Sequence, residues 1–334
     1  MKKVVLFAMF AVIAMSSATS CVVTSCGNLS DERRLPLTSH VLKLQSDFTK
    51  VENNTVIDIE YTQSSEFSAE LVCPEELMDF VIFSVEDNLL VIKLSDKLND
   101  SERNDVNRDL RYSRLFLSGP QLTDIRVNGS STFMTTNDLY AKNLTAVIHG
   151  SGDVIFEGVN TVDGTVSTQV VGSGDIVFRK EVKAKSAFMQ VSGSGDIDCG
   201  SLAVKSVTAQ VNGSGDIKVP EMMTETAEFL LNGSGDLVAL KIKANSVNAI
   251  LVGSGDMKLE GECETAVLSL SSSGDLIARN LIAQDVTASV IGSGDLSCHA
   301  IKKLTAKVSG SGDIRYKGNP HINQNPTIST MIDI

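Results

Sequence analysis

The chain has 334 residues, with 25 glycines, six prolines, no tryptophan and a formal net charge of −12. That charge argues against nucleic acid as a partner, because phosphate binding needs a basic face. It favours solubility and weak contact with cations, while the scarcity of large aromatics points to an interior of small aliphatic side chains in equivalent layers.

At the N-terminus, Lys2 and Lys3 precede an apolar run from Val4 to Met15, then Ser16-Ser17-Ala18-Thr19-Ser20-Cys21. The run is too short to span a bilayer as a helix, and its flanks are those of a signal peptide. Small residues ending in a cysteine resemble a bacterial lipoprotein signal, in which that cysteine becomes the lipidated first residue of the mature chain. Cys21 is assigned this role, with Cys26 after Val23-Thr24-Ser25 as the alternative and an ordinary cleaved signal as the plainer reading. Residues 1–20 are then a signal peptide and 21–35 a polar tether. The expected location is an exported protein, lipid-anchored in the outer membrane and facing the periplasm or the cell surface.

Residues 36–128 are rich in β-formers, with partial alternation in Val56–Gln63, Phe80–Val85 and Asn88–Leu94. They are read as irregular first coils that cap a longer stack, since an open end invites edge pairing. Ser101–Arg114 is polar and charged and is expected to be an exposed loop.

From 129 to 320 the chain repeats. Gly-Ser-Gly-Asp ends at Asp153, Asp175, Asp196, Asp216, Asp236, Asp256, Asp295 and Asp313, and Ser272-Ser273-Gly274-Asp275 is a ninth copy. The intervals are 22, 21, 20, 20, 20, 19, 20 and 18 residues, and Gly129-Ser130-Ser131-Thr132 is an earlier degenerate copy. The residue after each aspartate is apolar and the next varies freely; five residues before it stands Ile, Val or Leu. This period of two on both sides of the motif predicts a strand, a turn, a second strand and a variable connection in each coil. So short a unit cannot bury its apolar face alone, so stacking must do it. The fold class is all-β: a right-handed parallel β-helix of about 20 residues per coil. Residues 321–334 are read as a C-terminal tail.

Glycine is expected at the turn for its access to positive φ, with Ser and Asp closing the corner by bonds to nearby backbone N–H groups. The nine aspartates then form a column about 4.8 Å apart, each neighbouring pair repelling by about 0.9 kcal/mol in water and roughly 3.5 kcal/mol at an effective dielectric of 20. Backbone N–H bonds are the plain remedy. Calcium is the alternative, but it wants six to eight oxygens and the motif departs from the calcium-binding nonapeptide. No Arg/Lys cluster is evident beside the column, and its regularity leaves no interruption for a catalytic carboxylate pair of the glycosidase type. Cys73, Cys199, Cys263 and Cys298 form no CxxC or zinc pattern, and His40, His149, His299 and His321 are scattered. No catalytic residue, metal site or cofactor is assigned.

The runs Ile57–Val72 and Val85–Leu94, the GSGD coils and the ending Gly310–Pro320 together resemble the head GIN domain family of auto-transporter adhesins over residues 40–320. The resemblance implies a β-helix in an exported lipoprotein of Gram-negative bacteria and names no ligand residues. The expected function is a non-catalytic cell-envelope adhesin or binding module that meets a glycan or an envelope or host protein on its outer faces, touching the membrane through its lipid only. The alternatives are an envelope-assembly scaffold and a polysaccharide-acting β-helix enzyme.

Overall fold

The computed structural model describes residues 35–44, 46–324 and 328–330. The expected signal peptide, the tether to residue 34, Cys21 and Cys26 lie outside the described residues. The chain forms a β-solenoid of about ten turns of roughly 20 residues. Each coil lies parallel on the one before: Ile176 pairs with Ile197, Phe178 with Cys199 and Val191 with Val211, and the same columns run on through later coils.

The alternation of the sequence becomes an alternation of burial. Val154, Ile176, Ile197, Ile217, Leu237, Met257, Leu276, Leu296 and Ile314, one residue after each aspartate, are all buried. So are Ile148, Val170, Val191, Val211, Leu231, Leu251, Leu270 and Val290, five residues before it. Full burial of such side chains stabilises by about 1.5–3 kcal/mol each. A coil therefore contributes little alone and much in a stack. Val308, in the last regular coil, is only partly buried.

In most regular coils the expected pair of strands and the variable connection merge into one long strand, as in Ile197–Val211, Leu237–Leu251 and Leu276–Gly292. The connection keeps its ladder bonds, and unequal coil lengths are absorbed by register shifts such as those between Phe178 and Glu181 and between Ala239 and Ile242. Pairing also continues past residue 320: His321–Gln324 lies along Lys303–Ala306, and Ile328–Thr330 along Ile314–Tyr316.

At the other end the stack changes character. Strands β1 (Leu37–Val41), β2 (Lys50–Asn53), β3 (Asp58–Gln63), β4 (Ser68–Pro74), β5 (Val81–Glu86), β6 (Leu89–Leu94), β7 (Arg114–Gly119), β8 (Asp124–Val127) and β9 (Phe133–Thr135) build it. β2 lies between β6 and β8, and β3 between β7 and β9, all parallel. β5 then runs antiparallel on β6, and β4 and β1 antiparallel beyond β7. The parallel ladder thus ends in an antiparallel cap. The expected loop at Ser101–Arg114 is mostly helix: α1 (Asp100–Leu110) sits between β6 and β7. A capping box at Asn99 and Glu102 starts it, satisfying two donors. Val106 and Leu110, four apart, bury one narrow side.

Candidate functional site

Three features of the coil could carry function: the corner column and the two outward faces that meet at it. The corner comes first because the sequence singles it out. Asp153, Asp175, Asp196, Asp216, Asp236, Asp256, Asp275, Asp295 and Asp313 do form one column, but their side chains act between coils. Oδ1 of each of the first eight aspartates accepts the backbone N–H of the aspartate in the next coil, at 2.9 Å from Asp175 to Asp153, 2.8 Å from Asp216 to Asp196 and 3.0 Å from Asp313 to Asp295. The five remaining rungs are the same. The N–H after each of the first eight aspartates donates in turn to the main-chain carbonyl of the next, as Ile176 does to Asp196 and Leu237 to Asp256. The carboxylate thus takes the place of a backbone acceptor and carries the ladder round the bend. A hydrogen bond to a charged group contributes about 1.5–3 kcal/mol, enough to offset the repulsion of partly exposed neighbours.

The glycines also have a different reason from the expected one. Among the described motif glycines, positive φ occurs only at Gly292 and Gly310. What excludes a side chain elsewhere is the approach of the coil before: a Cβ on Gly174 would stand 1.8 Å from the carbonyl oxygen of Gly152, and one on Gly215 1.9 Å from that of Gly195. The motif serines use their backbone, as Ser173 N–H does to the Gly150 carbonyl at 2.9 Å.

One column member carries no motif. Asp58 Oδ1 accepts the N–H of Thr132 at 2.9 Å, so the column begins a coil before the glycines do. Here Thr55 lies beneath Gly129, and buried Asn53 fixes the corner through Ile57, Thr55 and Ser131. The only sequence signal was an aspartate followed by an apolar strand residue.

The face after the corner mixes neutral outward residues, Ile155, Val177, Val238, Ile277 and Ser297, with charged ones, many of which pair with one another. Single basic residues two positions after the aspartate reach the column: Lys218 approaches Asp216 at 3.1 Å and Arg315 approaches Asp295 at 2.9 Å. Arg179 and Lys180 hold Glu157 at 2.9 and 3.3 Å and draw its carboxyl below the usual range, chiefly by hydrogen bonding. Lys258 pairs with Glu260 at 3.0 Å.

The face before the corner is different. Its outward columns run Val147, Gln169, Gln190, Gln210, Leu230, Ile250, Ser269 and Ser289, flanked by Ser167, Phe188, Thr208, Glu228, Asn248, Val267 and Thr287. Beside them stand Val171, Ser192, Asn212, Asn232, Val252, Ser271 and Ile291. From Ser167 to Ile291, Glu228 is the only ionisable side chain in these columns. Gln169 Nε2 donates to Gln190 Oε1 at 3.1 Å, so part of the amide row is joined along the stack.

Among the described residues, no group of three or more His, Cys, Asp or Glu is arranged to hold a metal ion. His40 approaches Glu75 at 3.4 Å and His149 faces Asn128 at 3.2 Å, far apart along the chain. Cys73, Cys199, Cys263 and Cys298 are buried free thiols, and burial pushes the last three up to about 12.

A family model described as "Putative auto-transporter adhesin, head GIN domain" matches residues 47–221 and 220–320. The chain belongs to this family. It is an adhesin-like family, which points to exported or surface proteins. No curated protein matches the chain. Among solved structures, a putative adhesin from Parabacteroides distasonis is 20% identical, covering 89% of this chain and 98% of its own, with a TM-score of 0.47. A putative lipid binding protein from the same organism is 21% identical over 89% and 94%, TM-score 0.44. A putative adhesin from Bacteroides fragilis is 22% identical over 88% and 93%, TM-score 0.30.

Proposed function

We propose that this protein is a non-catalytic binding module of the cell envelope, anchored by a lipid on Cys21 (Cys26 being the alternative) in the outer membrane, and that the uncharged face before the corner is its docking surface. The observation that carries this reading is the contrast in charge. In a chain of net charge −12, the face after the corner pairs its charges within itself, whereas the face before it leaves amides, hydroxyls and aliphatic side chains outward with one carboxylate. Interface centres are depleted of charge in the same way. The aspartate column, with one oxygen of each linked carboxylate committed to the next coil, serves the stack. A glycan or an envelope or host protein is the class of partner such a face suits.

The anchor is tested by metabolic labelling with a fatty acid: Cys21→Ser should abolish incorporation and Cys26→Ser should not. Docking is tested by binding of the full chain to intact cells and to panels of neutral glycans and matrix proteins. Val252→Glu together with Ile291→Glu should remove binding while the melting temperature stays within a few degrees. Unchanged binding would refute the assignment of the face.

A further inference from the structure

We infer that the partner of the uncharged face is the same face on a second copy of this chain; this rests on the docking reading above and names its partner. Two molecules of net charge −12 repel over most of their surface, and this face lets them approach without opposing rows of carboxylates. On the side away from the corner the preceding position carries Thr165, Ser186, Ser206, Thr226, Ser246 and Thr265 before it turns charged at Asp285, and on the other side stands the aspartate column.

The size suits a weak or transient dimer. Seven stacked strands at about 4.8 Å, by about 17 Å for three outward positions, give roughly 570 Å² per copy. Interfaces that bury less than about 1,200 Å² in total are of the transient kind. The face exposes Val171 by 42%, Val252 by 47%, Val267 by 42% and Ile291 by 53%, all large apolar side chains. Set face to face about 10 Å apart, as packed sheets are, these would interdigitate with the Ser, Thr, Gln and Asn between them. Interfaces of this type are isologous, so each residue is used twice.

Other partners fit less well. Sugar rings stack on aromatic side chains, and the chain has no tryptophan while Phe188 is the one aromatic in these columns. An anionic membrane surface needs Lys and Arg, which these columns lack between Ser167 and Ile291.

The test is photo-crosslinking of the full chain in its own membrane, with p-benzoylphenylalanine replacing Val252 or, as control, replacing Val238 on the face after the corner. Self-pairing predicts an adduct at twice the chain's mass from position 252, identified by mass spectrometry as two copies, with none from position 238. The yield should fall on the order of tenfold when Ile291→Glu is added. No adduct from position 252, or equal adducts from both positions, overturns the inference. An adduct from position 252 to a glycan or a different protein also overturns self-pairing but leaves the docking reading intact, so the two failures are distinguishable.

Discussion

The faces on either side of the corner are made by the same strands under the same ladder of backbone bonds, yet their chemistry differs. After the corner, Lys218, Lys258 and Arg315 stand among carboxylates and are paired with them. Before it, neutral side chains repeat for most of the stack. The backbone holds both, so the outward side chains are free of structural duty. In one case many charges pair with one another, and in the other, apart from amide links such as Gln169 to Gln190 and Gln210 to Asn212, they remain available. The corner between them has the opposite economy: its residues contact the next coil so closely that little else fits.

Breaking the corner should have the largest effect. Gly235→Val places a Cβ where only 2.0 Å separates it from the Gly215 carbonyl oxygen. The two coils must part, and a loss of about 3–5 kcal/mol in denaturant unfolding is expected. A loss below 1 kcal/mol would mean that the coils are not stacked so tightly.

Next comes the aspartate. Asp236→Ala removes the acceptor of the Asp256 N–H at 2.9 Å and should cost about 1–3 kcal/mol. Asp236→Asn keeps an oxygen there and should restore more than half of the loss, and millimolar calcium should not shift the melting temperature of the wild-type chain. Equal loss from Ala and Asn, with a calcium-dependent melt, would make the column a cation site instead.

Charge reversal on the paired face should do less. Lys218→Glu opposes Asp196 and Asp216, but these groups are partly exposed and screened, so a change below 1 kcal/mol is expected, shrinking further at high salt. An effect above 2 kcal/mol would show that the face is part of the fold.

The buried thiols give the smallest effect near neutral pH. Cys199, Cys263 and Cys298 are raised from an ordinary value near 9 to about 12, so the folded chain holds these protons where the unfolded chain has released them. Their contribution is fully present below about pH 9 and is lost as pH rises from there toward 12. Native alkylation at pH 8 should therefore be slow at all three, with Cys263, the most exposed, first.

Much of this fold is legible because its signal is local and repeated. The apolar residue after each aspartate and the one five before it mark the core columns directly. What the aspartate bonds to is not legible, because its partner lies about 20 residues away in sequence and an intra-coil turn accounts for the same residues. Asp58 escaped notice for want of a preceding glycine, and α1 because only Val106 and Leu110 mark its buried side among charged neighbours. The neutral face is visible in sequence only after the strands have been placed in register, since no single coil is unusual.

The most direct test of the account compares outward charge on the two faces. Full chains carrying Val252→Glu with Ile291→Glu, or Val238→Glu alone, would be measured for partner binding at matched melting temperature. A loss on the order of tenfold or more is expected for the pair before the corner and less than about twofold for the change after it. Equal losses, or none from the pair, would contradict it.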